Sequence, residues 1–170
     1  MARVFSAIDR TLTFVERLIV IVLLFVSAGI LVLDIVWRTV GSTSIAWAPE
    51  LTRYAIVWLV FIGGSMGARN GAHISIDVLG ELLPGHVMRR FIQCAMLISA
   101  ATSLAMAYFG FTLVWQMYGF GQTSPSLLWP MWAVYLAVPV GFGLMAVRFT
   151  QDALTLSVEA RHLVIAETSA

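Results

Sequence analysis

From Phe91 to Val147 the chain carries no charged residue. A run of that length cannot be hidden in the core of so small a domain, so it must be solvated by lipid. It is interrupted only at Gly119 to Pro125, where Gly, Gln, Thr, Ser and Pro are turn-formers. The pattern is that of two spanning helices joined by a short uncharged connection. Two further apolar stretches lie upstream, so four spans are expected, at about 18–36, 51–68, 91–118 and 127–147. Each is close to the ~20 residues needed to cross the hydrocarbon, and the third is long enough to tilt or project. Composition agrees. The chain is 60% hydrophobic and 11% charged, against roughly 45–50% and about 25% in soluble domains. The expected fold class is an all-α membrane protein, a single four-helix domain over residues 1–170.

Every basic residue is Arg, and their placement sets direction. Arg3, Arg10 and Arg17 precede the first span. Arg69, Arg89 and Arg90 lie between the second and third, and Arg148 and Arg161 follow the fourth. Only Arg38 and Arg53 fall on the other side, so both termini are expected to be cytoplasmic. Trp37, Trp47, Trp115, Trp129 and Trp132 all sit at the opposite ends of the spans, at the depth where amphipathic rings settle. The first apolar run continues past Ser27-Ala28-Gly29 without a polar segment, which favours an uncleaved helix over a signal peptide.

The one sizeable polar connection runs from Arg69 to Arg90. Arg69, His73, Asp77 and Glu81 recur at intervals of four and share a helical face, while Ile74, Val78, Leu79, Leu82 and Leu83 fill the other. This predicts a short amphipathic helix lying on the membrane surface between the second and third spans. Pro84-Gly85 would end it.

Polar side chains gather at the two membrane surfaces. Trp47, Glu50 and Arg53 open the second span; Glu50 suits the positive end of the helix dipole and Pro49 a first-turn position. Glu50 and Arg53 are expected either to pair as an interfacial ion pair or to offer a contact to a partner. Asp34 and Arg38 are four apart near the outer end of the first span, and Asp34 could also meet Arg53 across helices. An acid inside a span is costly, so Asp34 needs a partner. His73 and Asp77 are one turn apart at the inner surface, an exposed polar stripe or a docking surface. Within the spans, Gly63, Gly64, Ser65 and Gly67 form a small-residue face for close packing, and Pro139 predicts a kink in the fourth.

Several function classes find no footing. Net charge is +1 with dispersed basic residues, so no nucleic-acid partner is expected. No Cys/His grouping has metal-ligand spacing, and Cys94 reads as a structural thiol. No His lies inside a span, where a membrane haem would need its ligands. No polar relay crosses the membrane, and no nucleophile accompanies His73 and Asp77. Neither an enzyme nor a cofactor is expected. The alternative kept open is a membrane anchor subunit of a redox complex.

Three motifs in order carry a resemblance. The first is Trp47, Glu50, Arg53, Val57-Trp58 and Phe61-Ile62-Gly63. The second is Gly71, His73, Ile74 and Asp77. The third is Ser124, Pro125, Leu127, Pro130, Trp132, Tyr135, Pro139 and Gly141. Together they resemble the small membrane subunit of tripartite ATP-independent periplasmic (TRAP) transporters, the DctQ family, over roughly Ile8 to Val147. Pro49 departs from the pattern, standing where the family often has a first acidic residue. The resemblance implies a sodium-driven uptake system for organic acids or similar solutes in a bacterial inner membrane. Its small subunit would be non-catalytic, would scaffold a large membrane transport subunit, and would have membrane lipid and a periplasmic solute-binding protein as its other partners. Asp34, Arg38, Trp47, Glu50, Arg53, His73 and Asp77 are then candidates for helix packing or partner contact.

Overall fold

The computed structural model describes the backbone of residues 2–41, 43–80 and 85–168, and the side chains of residues 11–41, 43–68 and 90–154. The described chain is helical almost throughout: α1 (Ala2–Gly41), α2 (Ala48–Gly80), α3 (Gly85–Phe120), α4 (Met131–Tyr135) and α5 (Ala137–Thr168). Four segments are long and apolar enough to cross a membrane: Thr11–Gly41, Ala48–Ala68, Arg90–Phe120 and Met131–Leu154. They contain the four expected spans, apart from the first residues of the fourth, and run longer at most ends. The α-helical backbone satisfies its own polar groups, which lipid requires.

Two helix boundaries follow from single residues. The fourth span is split between α4 and α5 at Leu136. Pro139 has no N–H to offer the carbonyl of Tyr135, and its ring crowds that carbonyl, so the ladder slips where the kink is expected. It resumes as Val140 N–H donates to the Leu136 carbonyl at 3.2 Å. Pro130, in extended conformation (φ −67°, ψ 122°), stands just before α4. In α2 the helix does not stop at the end of the span. Its backbone stays helical to Gly80, so over residues 71–80 the polar segment continues α2. The side chains that would define the expected amphipathic face, His73 and Asp77 among them, lie outside the described residues.

The helices form an open row and not the closed bundle that four short-looped spans would allow. In order across the row stand α1, α2, α5 and α3, with α4 tucked against α3 and α5. Among the described residues α1 has no close backbone neighbour in α3 or α5, and α3 touches α2 only slightly. The two middle helices meet most closely at Gly141. A Cβ there would lie 2.6 Å from Cβ of Phe61 and 2.8 Å from its carbonyl oxygen. Phe61 and Phe142 pack edge to face beside it, ring centroids 5.7 Å apart. Of the expected small-residue face, Gly64 lies against Met145 and Ser65 is fully buried, while Gly63 and Gly67 face open space. Large apolar side chains remain outside on both edge helices, such as Phe25 (71% exposed) and Ile98 (67%). Lipid is their natural solvent.

Candidate functional site

Alternating helix directions bring the α1–α2 and α3–α4 connections to one end of the row and both chain termini to the other. Each end holds a polar cluster.

At the connection end, Glu50 sits in the first turn of α2 and is buried. Its Oε1 accepts the Tyr54 hydroxyl at 2.5 Å. Its Oε2 accepts the backbone N–H groups of Ser126 (2.8 Å) and Leu127 (3.2 Å) from the α3–α4 connection. That connection is a small hairpin. Thr123 and Pro130 bridge antiparallel. Ser124 N–H donates to the Trp129 carbonyl at 2.8 Å, and Met131 N–H to Gln122 at 2.9 Å. The Ser124 hydroxyl oxygen accepts Trp129 N–H at 3.2 Å. Leu128 takes φ 55°, an unfavourable conformation for a branched side chain, held by this pairing. Asp34, also buried, closes the other connection. Its Oδ1 accepts Ile45 N–H at 2.9 Å and its Oδ2 accepts Arg38 Nη2 at 3.3 Å.

The expected Asp34–Arg38 pair is therefore present. The expected pairings of Arg53 with Glu50 or Asp34 are not: Arg53 is exposed, and both carboxylates turn to backbone N–H groups. The physical reason is the cost of an unsatisfied amide near lipid, which a charge-assisted hydrogen bond removes. An exposed guanidinium is already served by water. Trp47 is 39% exposed at the same end.

At the terminal end lies a cluster that the sequence reading did not anticipate. Arg148 of α5 donates through Nη2 to Glu16 Oε2 of α1 in a buried salt bridge, and to Thr13 Oγ1 at 3.2 Å. Ser65 of α2 lies between them, its Oγ 3.2 Å from Glu16 Oε1 and 2.7 Å from the Ile62 carbonyl oxygen. The single hydroxyl proton can serve either acceptor. Glu16 and Arg148 are each 2% exposed and Ser65 not at all. Three helices thus converge on one ion pair, which links α1 to α5 although their backbones do not touch.

The two clusters share a geometric logic on α1. Among residues 11–41, Glu16, Ser27 and Asp34 are the buried ones. Their spacings of 11 and 7 residues are close to whole turns at ~3.6 residues each, so they form one stripe facing α2. The helix is inside-out where it is most buried: its three buried residues are polar, Val20, Leu23 and Ile30 are half-buried beside them, and most of its other apolar residues face lipid. Eighteen residues make five turns, and that interval between two acids was the signal available in the sequence. At ~1.5 Å per residue the clusters stand about 22–27 Å apart, near the two boundaries of a ~30 Å hydrocarbon layer. Five of the six oxygens of Glu16, Asp34 and Glu50 accept a donor of their own, and the sixth, Glu16 Oε1, shares the Ser65 hydroxyl with the Ile62 carbonyl. This arrangement can hold helices and connections in place, and it commits these three carboxylates to that role.

The motifs meet in the same geometry. Glu50, from the first, binds the Ser124–Leu127 segment that opens the third, and Gly141 of the third seats Phe61 of the first. A four-span, open-row membrane protein with a buried polar cluster at each end is the class so defined. The family model described as "Tripartite ATP-independent periplasmic transporters, DctQ component" matches residues 27–158, and the chain belongs to that family. It is 38% identical, over 69% of its length and 52% of the relative, to the C4-dicarboxylate TRAP transporter small permease protein DctQ of Rhodobacter capsulatus. It is 23% identical, over 89% of its length and 78% of the relative, to the ectoine TRAP transporter small permease protein TeaB of Halomonas elongata. It is 31% identical to the isethionate TRAP transporter permease protein DctMQ of Oleidesulfovibrio alaskensis over 66% of its length, but covers only 18% of that far longer chain. The matched region thus spans about half the length of the first of these relatives, and less of the fused one. None of these names supports a redox anchor.

Proposed function

We propose that this chain is the small, non-catalytic membrane subunit of a sodium-driven TRAP-type uptake system, and that it scaffolds a large transport subunit. The observation that carries the reading is the combination of an open row with a buried polar cluster at each end. The carboxylates of Glu16, Asp34 and Glu50 are committed to internal bonds, while broad apolar faces on α1 and α3 stay uncovered. A chain that moved an ion itself would need polar groups through the middle of the membrane. The long DctMQ relative supports the pairing, since there a segment like this one is part of a larger permease.

In this reading the protein lies in a bacterial inner membrane with both termini cytoplasmic, following the Arg distribution. The hairpin held by Glu50 then faces the periplasm beside Trp47 and Arg53, where a solute-binding protein would approach. Asp34, Arg38, Trp47, Glu50 and Arg53 shape that outer end. His73 and Asp77 belong to the cytoplasmic end, as a contact for the large subunit. C4-dicarboxylates, ectoine and isethionate are named for the relatives; for this chain the solute class is a small organic anion or zwitterion selected by other subunits.

The test is sodium-driven solute uptake into proteoliposomes containing the large subunit with and without this chain. Uptake is expected only with both. Robust uptake by this chain alone would overturn the scaffold role, and full uptake by the large subunit alone would make the chain dispensable.

A further inference from the structure

A groove of about 500 Å³ opens to the membrane between α3 and α5, within the range of ligand-sized pockets. Its floor is made of small residues, Ala100 and Ala101 on α3 and Gly143 and Ala146 on α5, and Leu104 and Leu154 lie at its two ends. A Cβ added at Gly143 would meet nothing within 4 Å, so the space is real and not a packing seam. The groove is elongated along the helices and almost wholly apolar.

What could fill it is indicated by the α3 surface below it. Arg90, Leu97 and Leu104 follow at intervals of seven, two helical turns each, so they fall on one stripe. Leu104 lines the groove, and Arg90, an exposed cation, opens the span at the terminal end of the same stripe. A helical side chain leans toward the N-terminus of its helix, which for α3 directs Arg90 toward the membrane surface at that end. From Arg90 to Ala100 is about 15 Å at ~1.5 Å per residue. That equals half of a ~30 Å hydrocarbon layer, the reach of one acyl chain within its leaflet.

We propose that the groove between α3 and α5 holds an acyl chain of an anionic phospholipid whose phosphate pairs with Arg90. Apolar shape, leaflet-length reach and a cation at headgroup depth coincide on one surface. Basic sites between spans on the cytoplasmic side are a known mode of anionic headgroup binding. A partner helix would fill the apolar space as well but would gain nothing from a cation at headgroup depth.

The full chain is reconstituted into nanodiscs of phosphatidylethanolamine with phosphatidylglycerol as the minor component, and retained lipid is read by native mass spectrometry. Phosphatidylglycerol is expected to be enriched over its bulk share. Arg90→Gln, an exposed substitution, should lower that enrichment roughly fivefold, the factor matching ~1 kcal/mol for one Arg at an anionic surface. Gly143→Leu starts from a Cβ that meets nothing within 4 Å and projects a branched side chain into the groove, and should lower retention of both lipids. Retention indifferent to both variants overturns the proposal. So does a Gly143→Leu chain that keeps its lipid but no longer co-purifies with the large subunit, since a partner helix would then be the occupant.

Discussion

Glu16 and Arg148 show how differently a charge behaves when buried and when exposed. Glu16→Ala leaves a guanidinium 2% exposed with its acid gone. Breaking a buried pair from one side costs about 3–5 kcal/mol, whereas replacing both partners by apolar groups of similar size is far milder. Thermal unfolding in detergent micelles is expected to show a large fall for Glu16→Ala and for Arg148→Ala. The Glu16→Met/Arg148→Met double variant should fall less than the two single effects combined; strict additivity would mean that the pair does not act as a unit. Glu50 permits a more local reading. Glu50→Gln retains the shape but turns two charge-assisted bonds to Ser126 and Leu127 N–H into neutral ones, a loss of roughly 1 kcal/mol for each, the difference between a bond to a charged and to a neutral group. Hydrogen exchange at those two amides should accelerate. Arg53→Ala should leave them unchanged, because Arg53 holds neither carboxylate; equal acceleration in both variants would return Arg53 to the clamp.

At the scale of helices, the tightest demand is the crossing of α2 and α5. Gly141→Ala would place a methyl group 2.8 Å from a backbone oxygen, and backbone cannot swing aside as a side-chain tip can. A cost of about 1–3 kcal/mol is expected in the same unfolding assay. Gly67→Ala, with nothing within 4 Å, serves as the neutral control. The spans themselves were legible because lipid demands a simple signal, some twenty apolar residues, and the break near Pro139 was legible because one missing N–H dictates it. The Asp34–Arg38 pair followed from a four-residue interval on one helix. The Glu50–hairpin bond did not, because 76 residues separate donor and acceptor and the donors are backbone amides that any sequence supplies. Arg148 and Glu16 were hidden by their setting. Each stands at the polar end of a span, where the Arg bias accounts for Arg148 and water at the membrane surface for Glu16, with no partner required. The row order α1–α2–α5–α3 was hidden too, since apolar faces are interchangeable in lipid and carry no address.

At the scale of the molecule, direction across the membrane is the property most open to test. Tags on either terminus are expected to be cleaved by protease only from the cytoplasmic side, and a cysteine at Ser126 to be labelled only from the periplasmic side. The reverse pattern would invert the row and with it the lipid leaflet assigned to the α3–α5 groove. The inside-out character of α1 also bears on how the protein is made. Asp34 finds Arg38 and Ile45 within a few residues of itself, but Glu16 waits for a partner 132 residues later in the chain. At ~5–20 residues per second, the ribosome takes on the order of ten seconds to deliver Arg148. For that interval the first helix sits in or beside the translocation machinery with an uncompensated acid. The ion pair that joins it to α5 is therefore a late event, made only after the fourth span arrives. A nascent chain halted before Met131 keeps the α1–α2 packing but lacks the Glu16–Arg148 pair, and it should turn over faster in a pulse-chase than a chain extended past Arg148.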